Sequence, residues 1–577
     1  MKRSLLSLLL GLSLLVSAQS PVGHWQFKSI LSESGDTLRP VSVADSMHVL
    51  ENGKFSYELT AVGLLAVGQW EKTGDRLKYS YENPNDTVRF YQLTFSGDSL
   101  LTLSENGVDY SFQRASTSAS TTALATDEQP GSGAETEPFD TGSFENISLT
   151  GILRGLLGLA VLVLIGWLFS SNRRAIKWSL VMKGIGIQLI FAFAILKVEV
   201  VKNIFDWMSS AFVTLLSFTT AGSEFIFGSL VTDLEGVGYI FAFQVLPTIL
   251  FFSALTSILF YYGILQKIVY GFAWLMKRTL KLSGAESLAA AGNIFLGQTE
   301  SPLLIKPYID KMTRSELMCL MSGGMATIAG GVLAAYIGFL GGDSDAEKIF
   351  FAKHLLAASV MSAPAAIVGA KLLVPETEKF NEEMSISKER IGKNALEAIT
   401  NGTIQGIRLA VNVGAMLLVF IALIAMVNYV LGDFFGARTG LNTWVNSFTN
   451  GQYEQFSLQF ILGYVLAPLT WLMGVAKEDM ILVGQLLGEK IILNEFVAYV
   501  SMGELKEAGK FAEQKSIIIA TYILCGFANF ASIGIQIGGI GALAPGRKTT
   551  LSELGVKALI GGTLASLFTA VIVGMLI

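Results

Sequence analysis

Four stretches of this chain hold polar groups inside otherwise apolar runs. The first spans 293–305. It places Gln298, Thr299 and Glu300 side by side between apolar neighbours. A carboxylate at membrane depth costs roughly 3 kcal/mol or more, so it is a functional candidate by default. Glutamine offers donors and an acceptor together, which suits the edge of a heterocyclic base. The plain alternative is a polar plug that ties the segment to its neighbours. Glu495, in Asn494-Glu495-Phe496, is the second acid in an apolar run. An ionised carboxylate can accept two hydroxyl hydrogen bonds at once, which suits a sugar. The alternative is a structural carboxylate paired with an intramembrane Lys or Arg, and no such partner stands out in the neighbouring spans.

The third stretch runs from Cys525 to Gly534. Asn529 and Ser532 stand three apart and so share one face of a helix. Phe527 offers a ring to stack or wedge. A packing seam of small residues is the competing reading. The fourth is Thr327-Ile328-Ala329-Gly330-Gly331-Val332. Paired glycines can unwind a helix in mid-membrane. Freed carbonyls plus a hydroxyl make an oxygen cage for a hard cation such as sodium. Glycines that only ease packing are the alternative. His354 reads as an interfacial residue near the start of a span. No Ser-His or metal-ligand grouping at membrane depth suggests an intramembrane hydrolase, and the chain is read as a non-enzyme.

These residues need elements to hold them. Of 577 residues, 51% are hydrophobic and 15% charged, well below the charged share of about a quarter usual in soluble domains. The apolar excess lies almost wholly after 147. Residues 1–18 read as a secretory signal: Lys2 and Arg3, then an apolar core over 5–16, then Val16-Ser17-Ala18. Residues 19–115 alternate in short segments broken by turn residues, which predicts a small antiparallel β domain. Gly23-His24-Trp25 opens it, and the domain resembles lipocalin-like domains. Residues 116–146 form a Ser/Thr/Ala/Gly-rich linker, and 147–577 a membrane domain. Cys319 and Cys525 both fall in apolar runs and offer no disulfide framework. The net charge of −5 and the lack of a basic patch give no sign of nucleic acid.

The expected spans are 148–170, 179–198, 239–263, 316–340, 352–373, 404–431, 479–543 (long and interrupted) and 551–576. With the β domain exported, the first span starts outside. Inner connections then hold Arg173, Arg174 and Lys177, next Lys277, Arg278 and Lys281, next Lys371 to Lys393, and finally Arg547 and Lys548. Outer connections are poorer in Lys and Arg, which fits the positive-inside rule and puts the C-terminus outside. Two further apolar segments, 287–305 and 456–475, are broken by Gly and Pro. Each is expected to be a re-entrant hairpin, entering from opposite faces and lining a cavity. Leu296-Gly297 with Ser301-Pro302-Leu303 recurs as Leu462-Gly463 with Ala467-Pro468-Leu469 at an offset of 166. Opposite entry with repeated order is the pattern of inverted-topology transporters.

The stretches Gly297–Ile305, Asn494–Tyr499 and Cys525–Ser532 resemble those of the concentrative nucleoside transporters. The similarity covers roughly 150–577 and leaves out the β domain. The resemblance implies a polytopic α-helical protein with eight spans, two opposed re-entrant hairpins, inverted repeats with split helices, and a homotrimer. It implies import of nucleosides by Na+ symport across a bacterial inner membrane, with the N-terminal domain and C-terminus periplasmic. Gln298, Thr299 and Val332 would face the nucleobase. Glu300 would reach the substrate partly through water. Phe527 would contact the nucleoside, and Glu495, Asn529 and Ser532 would bind ribose. Sodium, the coupling ion, would lie at Asn293, Leu296, Thr327 and Ile328, with Leu296 and Ile328 acting through carbonyls. Proton coupling, a nucleobase substrate, or a membrane-anchored sensor working through the β domain stand as alternatives.

Overall fold

A computed structural model describes Pro21, residues 23–32, 37–39, 46–49, 54–59, 64–73, 76–83, 87–96, 100–105 and 108–114, then 148–232, 240–342, 344–381, 383–384 and 392–577. The signal segment and the linker lie outside the described residues. The chain divides into two units, 1–131 and 132–577.

The first unit is a sheet of nine strands: Gly23–Ser32, Thr37–Arg39, Ser46–Val49, Lys54–Leu59, Leu64–Thr73, Arg76–Asn83, Thr87–Ser96, Leu100–Glu105 and Val108–Arg114, β1 to β9 in that order. All neighbours pair antiparallel. β1 pairs with β3 on one side and β9 on the other, so β1 and β3–β9 close into a barrel, with β2 added to the end of β1. Closure removes the exposed edges of an open sheet. Alternate residues point inward: Trp25 and Phe27 on β1, Leu77 and Tyr79 on β6, Tyr91 and Leu93 on β7, all buried. The interior is crowded with rings. Phe55 stacks on Tyr79 at 4.0 Å between centroids, and Phe27 lies 4.4 Å from Phe112. The Trp25 indole donates to the Pro21 carbonyl at 2.7 Å. Burial pushes the Tyr79 phenol above the usual tyrosine pKa.

The second unit is helical. Eight of its helices, among the described residues, are long and apolar enough to cross a membrane. They agree with the expected spans except in two places. Glu199–Phe227 was not expected. Even its most apolar stretch of 18 residues has a mean hydropathy of only 1.3, the lowest of the eight, and Glu199, Lys202, Asp206 and Glu224 interrupt the helix outside and inside that stretch. The expected interrupted span 479–543 is instead four helices: Met480–Ile492, Glu495–Glu507, Gln514–Leu524 and Phe530–Leu543.

Those four helices bring out two runs of elements in the same order. The first copy is a hairpin of Gly284–Gly292 against Ser301–Leu304 and Lys306–Ile309, a helix split as Arg314–Ala326 and Gly330–Gly341, and the long helix Asp345–Leu373. The second copy is a hairpin of Met480–Ile492 and Glu495–Glu507, a helix split as Gln514–Leu524 and Phe530–Leu543, and the long helix Lys548–Leu576. The expected hairpin over 456–475 is therefore corrected. Leu458–Leu472 is one continuous helix with Pro468 inside it. Proline removes a backbone donor but need not turn a chain whose neighbours pack well. Near this helix's end the Thr470 hydroxyl reaches the carbonyls of Ala467 at 3.0 Å and Met480 at 2.7 Å. The offset of 166 falls with that hairpin, and Glu495 stands at the turn of a different one.

The two long helices form the buried centre. They cross where a Cβ on Gly369 would stand 2.8 Å from the Gly561 carbonyl oxygen, so only glycine permits the approach. Lys371, on the first of them, holds the first hairpin by a buried ion pair to Glu286 at 2.6 Å. Asp479 ties the second copy together, accepting from the amides of Ala512 at 2.7 Å and Glu513 at 3.0 Å.

Candidate functional site

The first hairpin starts at Ser283, whose hydroxyl accepts the Glu286 amide as an N-cap. Its first limb stops at Asn293, and residues 293–300 form a non-helical tip. Ser301 and Pro302 open the return limb, with the Ser301 hydroxyl donating to the Ala289 carbonyl at 3.1 Å. At the tip the Glu300 carboxylate folds back to accept the Gly297 amide at 3.2 Å.

The first split helix seats this tip. Thr313 and Glu316 make a reciprocal capping box at its start. Gly323 and Gly324 then leave room for the hairpin: a Cβ on Gly323 would meet Asn293 Nδ2 at 2.6 Å, and one on Gly324 would meet Gln298 Cβ at 2.9 Å. The helix breaks at Thr327–Ala329, where Gly330 N reaches the Phe295 carbonyl at 3.4 Å. Val332 lies in the first turn beyond the break and is buried.

The second hairpin turns at Leu493-Asn494. Asn494 Oδ1 accepts the Val497 amide at 2.9 Å, capping the return limb and placing Glu495 in its first turn. The second split helix breaks at 525–529. Gly526 has φ +100, a left-handed conformation that favours glycine, and a Cβ there would stand 2.5 Å from the Ala326 carbonyl oxygen. The two helix breaks therefore touch. Asn529 caps Phe530–Leu543 by accepting the Ser532 amide at 2.8 Å. The shared face expected of Asn529 and Ser532 is thus a cap and the amide it serves.

The four elements converge on one cavity of about 460 Å³, within the size range of small-molecule sites. It is lined by Gln298, Thr299 and Glu300 from the first tip, Val332 from the first split helix, Glu495 from the second tip, and Phe527, Asn529 and Ser532 from the second break. A hydrogen-bonded row crosses it. Gln298 Nε2 donates to Ser532 Oγ at 3.1 Å, and Asn529 Nδ2 donates to Glu495 Oε2 at 2.6 Å. Gln298 Oε1 is buried without a partner. Among the described residues, neither Glu300 nor Glu495 joins an ion pair within 4.0 Å. The site therefore offers amide, carboxylate and hydroxyl partners around one space.

Beside it lies a second polar group. Asn293 is buried, and both Oδ1 and Nδ2 lack a partner. Thr327 is buried with its hydroxyl donating to the Gly323 carbonyl at 2.9 Å. Leu296 and Ile328 stand in non-helical backbone of the tip and the break. An unpartnered amide oxygen, a hydroxyl and non-helical carbonyls form an all-oxygen donor set, which suits a hard cation.

Three profiles match the helical unit in chain order: Na+ dependent nucleoside transporter N-terminus over 157–230, nucleoside recognition over 242–343, and Na+ dependent nucleoside transporter C-terminus over 354–574. An uncharacterized transporter of Bacillus subtilis, YutK, is 42% identical over 429 residues, which cover 74% of this chain and 100% of the relative. The chain belongs to the concentrative nucleoside transporter family. Solute carrier family 28 member 3 of Eptatretus stoutii is 42% identical over 434 residues, covering 73% of this chain and 60% of the relative. Sodium/nucleoside cotransporter 1 of Rattus norvegicus is 40% identical over 436 residues, covering 73% and 63%. The match thus spans less than two thirds of the length of these two curated relatives. Among solved concentrative nucleoside transporters, CNTnw in an inward-facing substrate-bound state superposes with a TM-score of 0.66 at 37% identity, covering 74% of this chain and 99% of that one. A CNTnw variant in an outward-facing state gives 0.65 at 37% identity, covering 74% and 97%.

The structure adds residues to the site and moves one away from its expected place. Gln405, Arg408 and Asn412 line the cavity from the long helix Ala395–Asn428. Their spacing of three and four along an apolar run was a readable signal for one polar helix face. His354 is buried rather than interfacial, with Nδ1 3.1 Å from the Tyr522 hydroxyl.

Proposed function

We propose that this chain imports nucleosides across a bacterial inner membrane by symport with sodium. The observation that carries the reading is the convergence of both hairpin tips and both helix breaks on one cavity with a polar row across it. Gln298, Thr299 and Val332 face the base. Glu495, Asn529 and Ser532 take the ribose hydroxyls, Phe527 packs against the nucleoside, and Glu300 reaches it through water. Asn293, Thr327 and the carbonyls of Leu296 and Ile328 hold sodium between the first tip and the first break. Sodium there orders the tip that carries Gln298, so ion and nucleoside bind together. Moving one positive charge inward gains about 2.3 kcal/mol per 100 mV, roughly fortyfold accumulation before the sodium gradient adds its share.

The topology that goes with this reading has eight spans. The second split helix, Gln514–Leu543, takes the place of the expected span 479–543. Glu199–Phe227 lies along the membrane surface, as its charges and low hydropathy favour. The two hairpins then enter from opposite faces, the two repeats are inverted, and the C-terminus and the barrel are periplasmic. Three copies assemble, each with its own pathway.

The test is uridine uptake into proteoliposomes. Uptake that follows an imposed sodium gradient and ignores a proton gradient is expected. Uptake driven by protons alone would move the coupling ion. Uptake of free uracil with no preference for uridine would remove the ribose role.

A further inference from the structure

The two repeats are built alike but differ in charge. In the first, the Asn293 side chain is buried and unpartnered beside the C-terminal end of Arg314–Ala326. In the second, the same ground between hairpin and half-helix is filled by Lys490. This residue sits in the last turn of Met480–Ile492 and is wholly buried. Its ammonium donates to the carbonyls of Ile523 at 2.9 Å and Cys525 at 3.1 Å, and to Ser566 Oγ at 3.0 Å. An ammonium has three donors, so this set uses all of them. Ile523 and Cys525 stand at the end of Gln514–Leu524, where a helix leaves carbonyls unpaired and its dipole is negative. Ser566 belongs to the long helix Lys548–Leu576 and donates in turn to the Cys525 carbonyl at 2.7 Å. Among the described residues Lys490 makes no ion pair within 4.0 Å. Its neighbour Glu489 accepts from Gln485 Nε2 at 3.1 Å instead.

We infer that the Lys490 ammonium is a tethered cation. It occupies in the second repeat the place that a mobile ion takes in the first, and it closes that place to sodium. The inference rests on the sodium reading above. A group of inward-facing carbonyls and a hydroxyl at a helix C-terminus needs positive charge. The first repeat leaves that charge to be supplied from solution with each cycle. The second supplies its own, so its hairpin stays joined to its split helix without an ion.

The test uses the full-length protein purified in detergent. Its readouts are radioactive sodium bound per chain and the shift of thermal unfolding when choline is replaced by sodium. The unsubstituted protein should bind one sodium, and Asn293→Ala should abolish both responses. Adding Lys490→Ala to Asn293→Ala should restore sodium binding and a sodium-dependent rise in Tm. Lys490→Met in the same background should stay silent, because its stem fills the space and offers no charge. If the double variant with Ala is folded but binds no sodium, the inference is overturned. If that variant is lost equally in sodium and in choline, it is also overturned, since sodium should replace the missing ammonium. Absence of sodium binding by the unsubstituted protein would instead remove the coupling reading on which the inference stands.

Discussion

Asn529 Nδ2 lies 2.6 Å from Glu495 Oε2, so the residue that caps one half-helix also fixes the carboxylate of the facing hairpin tip. Glu495→Gln removes the charge that makes this carboxylate a strong acceptor. Hydrogen bonds to a charged group contribute about 1.5–3 kcal/mol, so nucleoside affinity should fall roughly 10- to 100-fold. The loss should be much smaller for 2′,3′-dideoxyuridine, which has no hydroxyls to lose. Competition against labelled uridine measures both. Equal losses for the two compounds would separate Glu495 from the ribose.

Gln298 and Ser532 bridge the first tip to the second break at 3.1 Å. A double-mutant cycle with Gln298→Ala and Ser532→Ala should give a coupling of about 0.5–1.5 kcal/mol in substrate affinity. Additive effects would mean that the bond is absent in the state that binds substrate.

The neighbouring glycines should separate ion from substrate. Gly323→Ala puts a methyl against Asn293, and Gly324→Ala puts one against Gln298. The first should raise the sodium concentration for half-maximal uptake more than it raises the uridine KM. The second should do the reverse. Matching profiles for the two variants would argue that both only disturb packing.

Gln405, Arg408 and Asn412 should report on the cavity. Single cysteines at these positions, in a background lacking Cys319 and Cys525, should react with a hydrophilic maleimide and be protected by uridine. Leu418, 71% exposed on the same helix, lies outside the cavity lining and should give no uridine protection. Protection at Leu418, or none at Arg408, would misplace the wall.

The barrel lies within a unit of its own, residues 1–131. Removing 20–145 while keeping residues 1–19 should leave uridine uptake within about twofold. Loss of uptake from protein that still reaches the membrane would give the barrel a part in transport.

Six of the eight proposed substrate contacts were legible in the sequence because buried polar groups in apolar runs are costly and therefore rare; Phe527 stood out only as a ring among them, and Val332 only through the family resemblance. All eight meet in one cavity. The expected position of the second hairpin is wrong because Gly and Pro do not by themselves mark a turn: Gly463 and Pro468 lie inside a continuous helix. At Leu493-Asn494 the turn contains neither; an asparagine cap does the work. The pairing of Leu462-Gly463 with Leu296-Gly297 was a short pattern that a continuous helix also carries. Glu199–Phe227 was missed because a helix with charges on one side breaks up an uninterrupted apolar run. Lys490 stands in plain view five places before Glu495, but its role does not. Its partners are carbonyls, which every residue has and no sequence pattern distinguishes.

Gly526 rests against the carbonyl of Ala326, the residue just before Thr327. At this point there is no slack between the helix break proposed to meet sugar and the break proposed to meet the ion. Whatever shifts one shoulder must shove the other. A single added methyl at 526 would therefore be felt as a fault in salt dependence, on the far side of the joint from where it was made.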